Sequence, residues 1–513
     1  MKRKKKDCTA SFTSERRMCG RTLSLLVCLL ALVGCQTPQK TREPTDVDGF
    51  YGGDLDMFLG HQAQQAASES RSRALAQVNC ASAALCKHDF SSAQKFLELA
   101  SATMWSFSAE GETEALRVKE EPKIYKGDPY EKAMASFYLG MIDYMNGHFE
   151  NTVASCKTAI LADSGSKTNL FDSDFTPAFF LQACALRALG QTESAKDGFQ
   201  FTKGILLKRT TASVVRQAII SAVYQLRDSC PSNEKQDLLN AVELYFNALG
   251  ISKPSLAPPG EVFDELSQTV ATQIADLRKS SGSPSISWET VARWSSRLTH
   301  ECKRLLASSN ADEFRTLSTF LVATFDSLSA TNSNVLIIVD LGRGPRKFSA
   351  GGRNQQIKVI RGIYAARAAR IQVGNLVADT FRLEDVWFQA NTRGGREMDS
   401  ILQGKATFKD LTEAGGALAA TASIYTLPLA LLLWAAEASV NATADTRCWE
   451  CLPGEVHVAA LTLQPGEYDV NVSFLDALGR PLFLSKISGR KCTVLATRPT
   501  LWYLRSVGGN LSL

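Results

Sequence analysis

The hydrophobic pattern divides the chain into parts of different texture. From about Gln64 to Ser329, apolar residues recur at spacings of three and four, which predicts amphipathic helices. Near Thr331–Asn334 the texture changes. Val335–Leu341 (VLIIVDL) is short, continuous and β-branched, and predicts a buried strand. Val456–Leu463 alternates loosely, and Tyr468–Phe474 and Leu482–Ser485 alternate with period two. Thr493–Ala496 and Leu501–Leu504 complete the series, with turns at Pro465–Glu467 and Ala477–Pro481. Three prolines in Ser252–Gly260 predict a break between two helical stretches. The expected fold class is therefore α+β and multidomain. A helical repeat domain spans 64–251, with further helices and a linker over 252–330. An antiparallel β-sandwich-like domain then spans 331–513.

The helical half carries a repeat that resembles the tetratricopeptide pattern, in which small residues stand where two helices cross and large ones at fixed offsets. The clearest copy runs from Phe137. Leu139 and Gly140 take the close-approach positions, Gly147 the turn, Phe149 the start of the second helix and Ala159 a later small position; Thr152 stands where alanine is expected. An earlier copy, Ala74–Ala100, has Ala81, a turn at His88–Phe90, then Ala93, Leu97 and Ala100. A later one, Thr176–Phe201, has Ala183, Gly190 at the turn, Ala195 and Phe199. His88 and His148 are expected at equivalent, exposed turn positions. Thr211–Gly250 and Glu261–Ser329 predict more helix pairs without a clean pattern.

The N-terminal stretch changes the setting. Arg21 precedes a short apolar run, Leu23–Val33, too short to span a bilayer, which reads as a secretory signal. Leu32-Val33-Gly34-Cys35 resembles the bacterial lipobox. That resemblance implies removal of 1–34, a diacylglycerol on the Cys35 sulfur and an acyl anchor. Gln36 after the cysteine implies the outer membrane, facing the periplasm. Met18 offers an alternative start. Residues 35–63 begin with a polar, proline-containing run that predicts a lipidated flexible tether.

Charge supports this division. The chain holds 57 Lys and Arg against 52 Asp and Glu, for a formal charge of +5. Residues 1–34 account for the excess, so the remainder is close to neutral and nothing asks for nucleic acid. Nine cysteines follow Cys35, irregularly spaced, and read mostly as buried thiols.

Few motifs point to chemistry. Gly342-Arg-Gly-Pro-Arg-Lys347 is glycine-rich and basic, so Arg343, Arg346 and Lys347 are candidates to hold an anion, against the plainer reading of a solvated turn. Cys448-Trp-Glu-Cys451 has redox spacing but precedes strands, not a helix. A metal there would need further ligands, and Cys492 and His457 are not placed by any spacing rule. Among five histidines there is no Ser-His-Asp constellation. No catalytic residue, metal or cofactor is assigned. Glu413 and Glu437 bracket 23 uncharged residues, Ala414–Ala436, long enough to span a bilayer or to form a packed hairpin; an apolar helical insertion is expected over 411–443.

Gly127-Asp-Pro-Tyr-Glu131, Gly342–Lys347, Asp445-Thr-Arg with Trp449, and Leu452-Pro-Gly454 together resemble a group of bacterial lipoproteins of unassigned reaction, with a tetratricopeptide-like front half and a β-rich back half. Read with the lipobox, the helical repeats, which make extended concave surfaces, predict a non-enzymatic, membrane-tethered envelope scaffold in cell-envelope assembly, whose repeat groove takes a peptide or helix of another envelope protein. The alternative is an envelope lipid- or glycan-handling protein using 414–436 and the basic turn 342–347. A third reading is a minor enzyme using Cys448 and Cys451.

Overall fold

The computed structural model describes residues 46–106, 124–164, 173–227, 229–251, 259–280, 287–308, 310–330, 333–350, 356–392 and 445–507. The chain divides between Asp48 and Gly49. Of the first unit only Asp46–Asp48 are described, as the start of helix α1 (Asp46–Gly52); all other described residues belong to the second. The expected signal peptide, Cys35, most of the tether, the stretch 414–436 and the insertion 411–443 lie outside the described residues.

Three consecutive helix hairpins come after α2 (Leu55–Ala67): α3 (Arg73–Cys86) with α4 (Phe90–Met104), α5 (Pro129–Asn146) with α6 (Phe149–Ser164), and α7 (Thr176–Ala188) with α8 (Thr192–Arg227). Each packs on the next in chain order. Their turns share one geometry. His88, Gly147 and Gly190 are left-handed, with φ of 58°, 82° and 77°. In each, the next residue's N–H (Asp89, His148, Gln191) reaches back five residues to Ala84, Asp143 or Leu186. This hydrogen bond to an orphan carbonyl ends a helix where the chain must reverse. His88 is therefore equivalent to the two glycines, and His148 to Asp89 and Gln191, one place off the expected pairing. His88 is also half-buried, edge-on to Phe90 and Tyr503, and burial pulls its pKa down to about 4.

The crossings follow from small residues. A Cβ on Gly140 would stand 3.3 Å from the Ser155 Cβ and 3.4 Å from the Thr152 carbonyl. The Thr152 hydroxyl, fully buried, donates to the Gly140 carbonyl at 3.1 Å, so a threonine in the alanine slot bonds across the same crossing. Ala81, Ala93, Ala159, Ala195 and Phe199 are buried; Leu139 and Phe90 are half-buried.

Helix α8 continues well past the third hairpin. Its second half packs with α9 (Lys235–Ile251), α10 (Pro259–Ser280) and α11 (Trp288–Ser308) around a core of Val215, Ile219, Tyr245, Phe263, Val270, Trp294 and Leu298. Helix α10 opens on Pro259, which tolerates a first-turn position. Helix α12 (Asn310–Leu328) leads into the strands.

The β-rich part contains two four-stranded sheets and a ribbon. Strands β1 (Val335–Leu341), β6 (Phe381–Asp385), β7 (Glu455–Leu461) and β10 (Thr500–Arg505) make one sheet, ordered β10-β1-β7-β6. Strands β4 (Ala368–Val373), β5 (Leu376–Asp379), β8 (Gly466–Leu475) and β9 (Pro481–Val494) make the other, ordered β5-β4-β8-β9; β2 (Arg346–Ala350) and β3 (Gln356–Ile360) pair as a ribbon. Pairing is antiparallel except that β1 and β10 run parallel. Strand β9 merges the expected strands at 482–485 and 493–496. Its register shifts opposite Val470–Val472, and Gly489 is left-handed, so the glycine marks an irregularity and not an end.

Period two places each face of β1. Val335, Ile337, Val339 and Leu341 join Ile371, Val472, Phe474, Trp502 and Leu504 in a core shared by both sheets. Asp340 points to the other side, where helices cover the sheet. The change of texture near 331 is thus a change of element within residues 49–513. The order of layers is helices, first sheet, second sheet.

Candidate functional site

The inner helices of the hairpins, α3, α5 and α7, are buried on nearly every side. One side meets the outer helices. The other meets the first sheet and its loops, and the bonds across that boundary are specific. Trp449 Nε1 donates to the Ser82 hydroxyl at 2.9 Å, and the Trp449 N–H to the Glu131 carboxylate at 2.5 Å. The Tyr138 hydroxyl donates to Asp340 at 2.5 Å, and Thr176 N–H to Glu384 at 3.1 Å. Arg187 reaches the Ser329 and Ala330 carbonyls. The groove expected to take a partner peptide is filled by the chain's own β-rich part, because these inner positions carry side chains matched to it.

All four motif stretches meet on this seam. Asp128 begins α5, and Glu131 closes its capping box by accepting the Asp128 N–H. Lys347, from the glycine-rich turn, pairs with Asp128 at 2.7 Å with side-chain exposures of only 3 % and 8 %, and donates to the Arg447 carbonyl at 3.3 Å. Arg447 forks onto Asp445 and reaches the Ser72 hydroxyl. The turn is a close-packed knot. A Cβ on Gly344 would lie 2.6 Å from the Leu452 carbonyl, and one on Gly454 would lie 2.3 Å from the Tyr364 ring, so both positions exclude a side chain. The Tyr51 hydroxyl bridges the Glu450 and Leu452 carbonyls at 2.8 Å.

These contacts correct the anion-site expectation for 343–347. Lys347 is committed to Asp128. The Arg343 guanidinium stacks on the Tyr51 ring, 4.8 Å from its centre. Arg346 begins β2 and is half-buried. The motif is a solved packing problem and not an open cradle.

Further along the seam, Asp340 accepts from Tyr138 and, at 2.9 Å, from Tyr503, with Arg505 Nη1 at 3.7 Å. Burial pushes the Asp340 carboxyl up, against Arg505 and the two hydroxyls. Glu384, fully buried, accepts Arg209 at 2.7 Å along with Thr176 and Gln389. Burial raises its carboxyl to about 7, against the pull of Arg209.

Cys448 and Cys451 are buried free thiols. Burial pushes both thiols up, against Lys347 for Cys448 and Arg505 for Cys451. This suppresses the thiolate that redox or nucleophilic chemistry needs. His457 is held by Glu455 at 3.1 Å and by Thr380 at 3.2 Å. Cys492 lies on β9, in the other sheet. Among the described residues no cluster of three His, Cys, Asp or Glu is placed to hold a metal, and no helix is long and apolar enough to cross a membrane. The seam itself was invisible in the sequence, since nothing local says that 128, 347 and 449 are neighbours.

Compared with protein-family profiles, curated proteins and solved structures, the chain matches none.

Proposed function

We propose that this chain is a membrane-tethered envelope lipoprotein of the bacterial outer membrane, anchored through an acylated Cys35 and facing the periplasm. Its work is binding and not catalysis: a scaffold presented at the membrane for another envelope protein. The hairpins are read as tetratricopeptide-like and the two sheets as a sandwich. The observation that carries this is the Leu32–Cys35 lipobox, set after a short apolar run and before a polar tether. The repeated turn geometry at His88, Gly147 and Gly190 supports the repeat reading. Because the inner groove is filled, a protein partner is met on outer surfaces, where Leu99 and Leu161 on α4 and α6 are exposed.

Mass spectrometry of the protein from envelope fractions tests the anchor. A diacylated N-terminal Cys35 is expected, and Cys35→Ser should release the chain from the membrane. An unmodified N-terminus in soluble fractions refutes it. Crosslinking in intact cells tests the scaffold reading, and no specific partner across repeated captures removes it.

A further inference from the structure

The first sheet has a second charged centre, at the rim where it faces the second sheet. Glu455 opens β7 and is 2 % exposed. Three guanidiniums converge on its Oε1: Arg361 at 3.2 Å, Arg382 at 3.4 Å and Arg367 at 3.7 Å. His457 holds the other oxygen at 3.1 Å. Asp385 takes one further bond from Arg361 at 2.7 Å. Burial lowers the His457 pKa, against the pull of Glu455.

Three arginines thus face two carboxylates. That leaves a surplus of one positive charge. The surplus is also accessible: the Arg361, Arg367 and Arg382 side chains are 38 %, 40 % and 56 % exposed. Two of them are held in place by rings. Arg361 lies over Trp387 and Arg367 over Tyr364, at 5.6 and 4.7 Å from the ring centres. A guanidinium held over a ring and partly exposed can also bind phosphate oxygens in pairs. Arg361 Nε and the Tyr364 hydroxyl are both buried beneath it without a hydrogen bond of good geometry.

The surroundings are apolar and outward. Ile360 and Ile363 flank Arg361 in the chain and are 37 % and 67 % exposed, and Phe348 is exposed on the neighbouring strand β2. Trp387 Nε1 donates to the Val359 carbonyl on β3, and Lys347 on β2 donates to the Arg447 carbonyl.

We infer that Arg361, Arg367 and Arg382 form a receptor for the phosphate of an anionic phospholipid headgroup, with Ile360 and Ile363 as the apolar contact to the bilayer. This moves the basic lipid-handling surface from the 342–347 turn to the sheet rim. It deepens the membrane reading, yet the phosphate contact is testable without the anchor.

The test uses the full chain carrying Cys35→Ser, so that no acyl group contributes. It is sedimented with vesicles of phosphatidylcholine alone and with one-third phosphatidylglycerol, and the readout is the difference. A phosphatidylglycerol-dependent gain that fades as salt rises is expected. Arg367→Gln/Arg382→Gln leaves Glu455 paired with Arg361 and His457, and should weaken that gain about tenfold, or about 1.4 kcal/mol. Arg370→Gln, which removes one exposed positive charge from the pair with Asp379, should leave it unchanged. Ile363→Ser gives an arm that does not disturb Glu455 and should weaken retention about threefold. Wild-type retention by the arginine pair variant and by Ile363→Ser overturns the proposal. So does stabilisation by inorganic phosphate without vesicle binding, which would make the site a receptor for a soluble anion. A lipid-free N-terminus on the native protein would sink the anchor while leaving this result standing.

Discussion

Replacing Lys347 by alanine separates a buried structural cation from an anion-binding one. The ammonium is 2.7 Å from the Asp128 carboxylate, and both side chains are almost wholly buried. At that distance, with an effective dielectric near 20, the attraction is about 6 kcal/mol before desolvation is counted. Removing the cation leaves Asp128 buried beside Glu131 without its ammonium partner. Breaking one half of a buried pair costs about 3–5 kcal/mol. The cost should depend on pH. Burial and Asp128 already hold the Glu131 carboxyl above its ordinary 4.5, and Lys347 opposes them. Without Lys347 that carboxyl rises further. A carboxyl held high in the folded state favours folding while protonated and loses that contribution as pH climbs through its folded value. The deficit of Lys347→Ala should therefore be full at pH 8 and shrink toward pH 4.5. Urea unfolding, monitored by circular dichroism at both pH values, measures it. The double variant Asp128→Asn/Lys347→Met should recover much of the loss, since neither charge is then stranded. A loss below about 1 kcal/mol at pH 8, or a deficit that grows in acid, would refute the buried-pair argument.

Thr152→Ala restores the residue type the repeat pattern expects, yet should lower stability by about 1 kcal/mol, because the buried hydroxyl bonds the Gly140 carbonyl across the crossing; a more stable variant in urea melts would count against that bond. Trp449→Ala should cost about 3–5 kcal/mol through the cavity it opens, and Trp449→Phe about 1–2 kcal/mol through the orphaned Ser82 hydroxyl, both read as shifts in the unfolding midpoint. Cys448 and Cys451, with thiols pushed up by burial, should resist iodoacetamide at pH 8 in the folded protein and react fully in urea; rapid native labelling resolved by peptide mapping would restore the redox reading.

What the sequence revealed follows from the range of the forces involved. Helix hairpins are local: a left-handed residue, a small residue at the crossing and a cap all lie within about twenty positions, so Gly140, Gly147 and Gly190 could be placed from the chain alone. Strand β1 was equally legible, because seven buried residues without a polar break except Asp340 fit little else. That aspartate was the missed signal. A charged residue in the middle of an otherwise apolar strand demands a partner, and its partners come from Tyr138 on α5 and Tyr503 on β10, 202 and 163 residues away. The glycine-rich turn misled for a related reason. Glycine and lysine together suggest an open phosphate cradle, but the same glycines also permit backbone to press on backbone, as Gly344 does on Leu452. Only the location of Asp128 decides which use is made of Lys347. The arginine rim was hidden most fully. Arg361, Arg367 and Arg382 lie just after β3, just before β4 and on β6, each ordinary in its own segment. Their surplus over Glu455 and Asp385 exists only once the sheet assembles. Contacts that join the helical and β-rich parts are thus long-range by construction, and function placed on either face of the first sheet is written in residues that look unremarked one at a time.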